Sequence, residues 1–174
     1  MERTPESPES TQELPPEDLE LVQLMRRFVA EASRIYETRT GQDVREALQI
    51  KSPRDAYEFL RPEMAHLEQE QLRVLTLNVH HRVLSAPMVY QGTVRTTTVR
   101  VAEIFRPAIL ANASGLIVAH NHPSGEVDPS SHDIRLTEGL VQAGRILDLE
   151  VLDHIIIGRD GFASLRERGL GFGI

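Results

Sequence analysis

The residues of this sequence best suited to chemistry are His120-Asn121-His122-Pro123, followed after a short polar stretch by Ser130 and Asp133. His120 and His122 stand two apart at the end of an apolar run, so on an extended strand their rings project from the same side. Paired imidazoles can bind one Zn²⁺ at about 2.0–2.1 Å. Pro123 keeps His122 extended, and the glycine and proline that follow turn the chain. Ser130 then opens a helix, with Asp133 in its first turn able to point back at the rings. Two neutral nitrogens and one carboxylate leave a fourth tetrahedral position open for water, which distinguishes catalytic from structural zinc. Taken singly these features are ordinary: Ser-x-x-Asp resembles a capping box, and two nearby histidines are common. Jointly, residues of these types in this register arise by chance about once in ten million start positions at average usage. One Zn²⁺ per chain, held by His120, His122 and Asp133, is the expectation.

The elements that must position these residues read as an α/β arrangement of the α+β type, a mixed β-sheet flanked by helices. Leu72–Leu77 alternates as a strand. Arg82–Tyr90 and Thr93–Val101 read as two more, joined by a turn at Gln91-Gly92. Ala102–Ala111 reads as a short helix that Pro107 could bend or end early. Gly115–Ala119 is a continuous apolar run, as expected of a buried central strand. A loop over 121–129 leads to a helix at Ser130–Leu147, a strand at Val151–Ile157, a turn at 158–162 and a last short strand. Upstream, Ser52-Pro53 reads as a helix start carrying Ala56, Tyr57, Phe59 and Leu60.

Residues 1–16 are acidic and proline-rich and are expected to be disordered. Residues 17–51 form an N-terminal segment in which Leu19, Leu21, Val22, Leu24, Met25, Phe28, Val29 and Ile35 recur at near-helical spacing. The domain proper is expected over 52–174. The 174 residues carry a net charge of −7, of which the first 20 residues hold all but one: seven acids stand there against Arg3. The remainder is nearly neutral, which gives no support to nucleic-acid binding. Lys51 is the only lysine, a skew that codon bias explains more cheaply than phosphate recognition. There is no cysteine, so disulfides and thiolate zinc ligands are excluded. No apolar run reaches membrane-spanning length and the N-terminus is unlike a signal peptide, so a soluble cytoplasmic protein is expected.

His-x-His-Pro, six residues, then Ser-x-x-Asp resembles the JAMM (MPN-plus, or JAB) signature at every defining position. The form His-Asn-His-Pro-Ser-Gly, with Gly92-Thr93, Glu103-Ile104-Phe105 and Asp153-His154-Ile155-Ile156, resembles the bacterial RadC branch over roughly Ser52 to Leu170. The resemblance implies a JAB/MPN-like, cytidine-deaminase-like domain. It also implies a general base, a glutamate just before the first strand. Glu70 matches that position, with Glu103 and then Glu68 as rivals, Glu103 more simply capping or salt-linking its helix. Ser130 would donate a hydrogen bond to the oxyanion besides capping its own helix. RadC proteins usually begin with a helix-hairpin-helix module containing a Gly-x-Gly turn, whereas residues 17–50 hold only Gly41, so the N-terminal part departs from the family.

The function expected is a zinc-dependent hydrolase acting on an amide or isopeptide bond of a peptide or protein substrate. The alternatives are a metal-dependent nuclease or DNA-repair factor, and a non-catalytic module that keeps its metal for folding. Of the other histidines, His80 and His81 read as a turn, His66 as a helix end and His132 as solvent-facing. Asp153 and His154 either form an outer shell around the metal ligands or make a structural hydrogen bond.

Overall fold

The computed structural model describes residues 49–92 and 99–173, together with Leu24, Arg27 and Glu31. Contacts divide the chain into two units, Met1–Val44 and Arg45–Ile174. In the first, Leu24, Arg27 and Glu31 are helical and exposed; the disorder expected of residues 1–16, and most of the segment 17–51, lie outside the described residues. All that follows concerns the second unit.

Helix α1 (Pro53–Met64) starts where the sequence signals it. Ser52 accepts from the Asp55 amide at 3.3 Å while the Asp55 carboxylate accepts from the Ser52 amide at 2.8 Å, a reciprocal capping box. Strands β1 (Gln71–Leu77), β2 (Val83–Ser85) and β3 (Met88–Gln91) follow, then helix α2 (Val101–Leu110), strand β4 (Gly115–Asn121), helix α3 (Ser131–Leu147), and strands β5 (Glu150–Ile157) and β6 (Phe162–Ser164). The sheet runs β2-β1-β4-β5-β6, with β3 also on β1. β1 lies antiparallel to β4, β4 parallel to β5, and β5 antiparallel to β6. The mixed sheet flanked by helices agrees with the fold class expected.

Two expectations change in detail. Arg82–Tyr90 is not one strand: Pro87 has no N–H to give the ladder, so β2 and β3 are separate segments on the same edge of β1, with the Pro87 carbonyl between them accepting from the Val74 amide at 3.1 Å. The strand expected at Thr93–Val101 lies over 93–98 outside the described residues; Val99 and Arg100 are not in a strand, and Val101 already begins α2. Pro107 does not end α2, which runs on to Leu110.

Strand β4 is buried along its whole length and divides the core. Leu116 and Val118 face α2 and α3, packing with Leu72, Val74, Phe105, Leu140 and Val151. Ile117 and Ala119 face the other way, toward Tyr57, Leu60 and Met64 of α1, with Leu75, Ile155 and Ile157. Burying an aliphatic or aromatic side chain of this size is worth about 1.5–3 kcal/mol, so these two layers supply most of what holds the sheet ends in place. One irregularity matters. Leu116 pairs with Val151 but Ile117 pairs with Asp153, leaving Leu152 as an extra residue in β5. This bulge inverts the alternation: Val151 faces the α2/α3 layer, and so, beyond the bulge, do the even-numbered His154 and Ile156.

Candidate metal centre

The site sits where β4 ends. Its antiparallel register with β1 pairs His120 with Leu72, and two further steps along the same register bring Glu70 opposite His122 on the same face. Ligand atoms of Glu70, His120 and His122 accordingly lie within 4.8 Å of one another. Asn121, between the histidines, points to the opposite face and is buried. Its side-chain oxygen accepts from the Gln71 amide at 2.7 Å, and its Nδ2 donates to the Gln69 carbonyl at 3.1 Å. The carboxamide thus acts as one extra rung of the β1/β4 ladder and grips the backbone on either side of Glu70. The Glu70 carbonyl accepts from Gly92 at 2.8 Å.

Asp133 comes from the other side, in the first turn of α3. Its Oδ2 accepts from the Ser130 amide at 2.7 Å and the Ser130 hydroxyl at 2.6 Å, and the Ser130 oxygen in turn accepts from the Asp133 amide at 3.3 Å. The capping box and the candidate ligand are therefore the same residue. Asp133 Oδ1 lies 3.5 Å from His120 Nε2, Asp133 Oδ2 lies 4.0 Å from His122 Nε2, and the two Nε2 atoms are 3.0 Å apart. Three donors around one ion at zinc bond lengths of ~2.05 Å and tetrahedral angles would stand about 3.3 Å from each other. The two Nε2 atoms at 3.0 Å and the His120 Nε2–Asp133 Oδ1 pair at 3.5 Å bracket that value, and the donors, imidazole nitrogens with a carboxylate oxygen from Asp133 or Glu70, are those zinc takes. The residues fit such an ion.

Electrostatics agree. Burial holds His120 well below the ordinary 6.5, helped by neighbouring His154 and opposed by Asp133. Burial likewise brings His154 down to about 4, with His122 adding and Asp133 opposing. Both rings are neutral near pH 7, as ligation and its support require. For Asp133, burial pushes the carboxyl up, but His120 and the hydrogen bonds from Ser130 outweigh it and the net direction is down. His122 Nδ1 is 2.7 Å from the Glu126 carbonyl, which can only accept, so Nδ1 carries a hydrogen and Nε2 is the atom turned toward His120.

The remaining candidates fall elsewhere. The Glu103 carboxylate accepts from the Tyr90 hydroxyl and pairs with Arg100 at 3.6 Å. Glu68, His66, His80 and His81 are exposed, and His132 is partly so. His154 is fully buried, 2.9 Å from His120 Nδ1 and 2.6 Å from Thr137 Oγ1. Asp153 is bound instead to Ser164 and to the backbone of His154 and Arg166. Thr137 and the backbone role of Asn121 escaped sequence reasoning. A polar residue four positions after Asp133, within the stripe that continues to Leu140, Val141 and Gly144, was the signal for Thr137. Two clefts of about 380 Å³, one beside Arg145 and Phe172 and one beside Lys51 and Leu152, share no residue with this cluster; convergent donors and not cleft size locate the chemistry.

A family model described as the RadC-like JAB domain matches residues 50–170. The chain belongs to the RadC-like JAB domain family. Relatives of this JAB domain include a UPF0758 protein from Chloroflexus aggregans, 51% identical over 129 residues, covering 74% of this chain and 56% of that protein. Another, from Roseiflexus sp., is 49% identical over 124 residues, covering 71% and 53%. One from Clostridium beijerinckii is 39% identical over 152 residues, covering 87% and 62%. The chain thus spans little more than half the length of the relatives it matches. Among the described residues of this RadC-like chain, no helix is long and apolar enough to cross a membrane.

Proposed function

We propose that this RadC-like JAB domain is a zinc-dependent hydrolase of amide or isopeptide bonds in a peptide or protein. The carrying observation is the set of three donors, His120 Nε2, His122 Nε2 and Asp133 Oδ1, of which the two nitrogens stand 3.0 Å apart and His120 Nε2 and Asp133 Oδ1 3.5 Å. Glu70 and Asp133 compete for the third ligand position, and their surroundings support different roles. Asp133 is 4% exposed and its Oδ2 is held by Ser130, which leaves Oδ1 as a fixed, monodentate ligand. Glu70 is only partly buried, at the open side of the rings. A carboxylate there can take a proton and return it, the work of a general base and then acid. A zinc ion so held would supply Lewis acidity, making water a competent nucleophile near neutral pH and polarising the scissile carbonyl. The protein's own part is to fix the donors, keep the imidazoles neutral, and present Glu70 to the attacking water. Ser130 is the donor for the developing oxyanion; its hydroxyl hydrogen, now directed at Asp133, turns toward substrate when the carbonyl arrives.

Zinc content and turnover of a peptide and isopeptide panel test this together. About one zinc per chain is expected, lost in His120→Ala, His122→Ala and Asp133→Ala. Glu70→Gln is expected to keep zinc and lose hydrolysis by about 10²–10⁴-fold. Zinc loss in Glu70→Gln with retention in Asp133→Ala would reverse the two roles. Metal-dependent DNA cleavage abolished by His122→Ala would replace the hydrolase reading with a nuclease.

A further inference from the structure

We infer that Thr137 and His154 form a relay that dictates which nitrogen of His120 carries its hydrogen, and that they are thereby positioning residues for the metal site. The inference rests on the metal reading above. It starts from the one atom in the chain of contacts whose role is unambiguous. The Asp133 backbone carbonyl can only accept, and Thr137 Oγ1 lies 2.6 Å from it, so the threonine hydroxyl donates back to the residue four positions earlier in α3. That uses the hydroxyl's single hydrogen. Toward His154 Nδ1, also at 2.6 Å, Thr137 Oγ1 must then accept, which puts the hydrogen of neutral His154 on Nδ1. His154 Nε2 is left bare, 2.9 Å from His120 Nδ1, and accepts from it. His120 therefore carries its hydrogen on Nδ1 and presents a bare Nε2, the atom that faces His122 and Asp133.

Two features make this more than a chance run of contacts. First, the competing tautomer of His120 could donate from Nε2 only toward His122 and Asp133, and it would leave Nδ1 and His154 Nε2 as two facing lone pairs. Thr137 and His154 are fully buried and His120 is 1% exposed, so no bulk water reaches the rings to rescue the other tautomer. Turning any one member around would set two hydrogens or two lone pairs against each other, at the cost of a buried unsatisfied group. Second, the relay is closed. It begins on the backbone of Asp133 and ends on the ring of His120, so two of the three proposed ligands are tied by one hydrogen-bonded path across α3, β5 and β4. His154 can take part because Leu152 is left out of the ladder, which sets His154 two ladder positions after Val151 and on the α3 face. The competing account is that His154 is a core histidine that fills space.

Substitutions that keep volume but change hydrogen bonding separate the two. His154→Leu fills the space and cannot accept. In His154→Gln, the side-chain oxygen can accept from His120 Nδ1 while the amide donates to Thr137. Thr137→Val removes the hydroxyl at nearly constant shape. Zinc affinity is measured by chelator competition on the full chain, and the tautomer of His120 is read in the metal-free protein from long-range ¹H–¹⁵N imidazole spectra. Expected are an Nδ1–H tautomer in the unmodified protein and a 10–100-fold weaker zinc affinity in His154→Leu. A smaller loss is expected in Thr137→Val, and recovery of most of the affinity in His154→Gln. A folded His154→Leu with unchanged affinity and an unchanged His120 tautomer would overturn the relay. Should that variant fail to fold, equal affinities and tautomers in Thr137→Val and the unmodified protein would overturn it as well. If the unmodified protein binds no zinc, the metal reading falls, while the tautomer in the metal-free protein still decides the relay.

Discussion

Replacing Asn121 by alanine isolates the side chain that extends the β1/β4 ladder. Two hydrogen bonds disappear, from the Gln71 amide at 2.7 Å and to the Gln69 carbonyl at 3.1 Å, and their losses are unequal. Gln69 is exposed, so water replaces the lost donor at modest expense. Gln71 is 9% exposed and Asn121 2%, so the amide is stranded. A net hydrogen bond of about 1 kcal/mol together with an unsatisfied buried donor of about 1–2 kcal/mol gives a loss of roughly 2–3 kcal/mol. For a unit of this size that is a fall in melting temperature on the order of 6–12 °C. Urea unfolding at pH 7 is the assay, with chelator present so that altered metal binding does not enter the comparison. The midpoint is expected to fall with the slope unchanged, and the Gln71 amide to exchange faster with solvent. Asn121→Asp, which keeps the acceptor for Gln71 but sets a carboxylate against the Gln69 carbonyl, should recover only part of the loss. A destabilisation of Asn121→Ala below about 0.5 kcal/mol, with Gln71 still protected, would refute the extra-rung account.

Three further outcomes are expected. Burial raises the Asp153 carboxyl above its ordinary 3.8 despite hydrogen bonds from Ser164, Arg166 and His154. The native state then holds the proton more tightly than the unfolded chain, so the contribution of Asp153 to stability falls as pH rises from 3.8 through the raised value and is level above it. Asp153→Asn, which cannot ionise, should gain relative to the unmodified protein across that window; a difference that stays flat in urea titrations from pH 3 to 7 would contradict this. A Cβ on Gly158 would stand 2.5 Å from the Gly125 carbonyl oxygen and 2.7 Å from Val127 Cγ1. Gly158→Ala should therefore cost about 1–3 kcal/mol and, by shifting the loop that carries the Glu126 carbonyl, weaken zinc binding through His122; unchanged chelator-competition curves would uncouple the two. Within α3, Gly139 has open space and Gly144 would meet the Leu149 carbonyl oxygen at 2.5 Å. Thermal melts should show Gly139→Ala stabilised by about 0.5–1 kcal/mol and Gly144→Ala destabilised.

What was legible in the sequence were the features written in local spacing. Ser52/Asp55 and Ser130/Asp133 announce helix starts because a cap needs only residues three apart, and both boxes form. The apolar run 115–119 announces a central strand because burial on both faces leaves no alternation to read. The convergence of His120, His122 and Asp133 followed from those two elements being joined by a short loop. Features fixed by partners distant in sequence were not legible. Asn121 carried no local signal of its role, because its bonds go to residues 50 and 52 positions away. The break at Pro87 was hidden by a plausible strand pattern on either side, although a missing donor inside a ladder was a readable warning. His154 remained undecided between two roles, since plain alternation from Val151 sets it on the wrong face, and only the pairing with β4 reveals the skipped residue.

That skipped residue makes the domain's tolerance to change lopsided at one place. Leu152 is partly buried against the α1 layer, and other apolar residues of similar bulk can fill its position. Its removal leaves the pairing beyond it intact, because Asp153 would then follow Val151 directly and meet Ile117 as it does now. Drawing Leu152 into the ladder is a different matter, because the chain beyond it would then be read one step out of phase. Ile155 and Ile157 would turn toward the α3 side, while His154 and Ile156 would turn away from it, exchanging the contents of two core layers at a stroke. The ladder pairing of β5 is therefore under stricter constraint than the number of its residues. Lineages of this fold are expected to vary freely in the identity of residue 152, and to dispense with it where β5 pairs without a bulge, so that the pairing of His154 opposite Val118 diagnoses a working site better than a count of the residues before it.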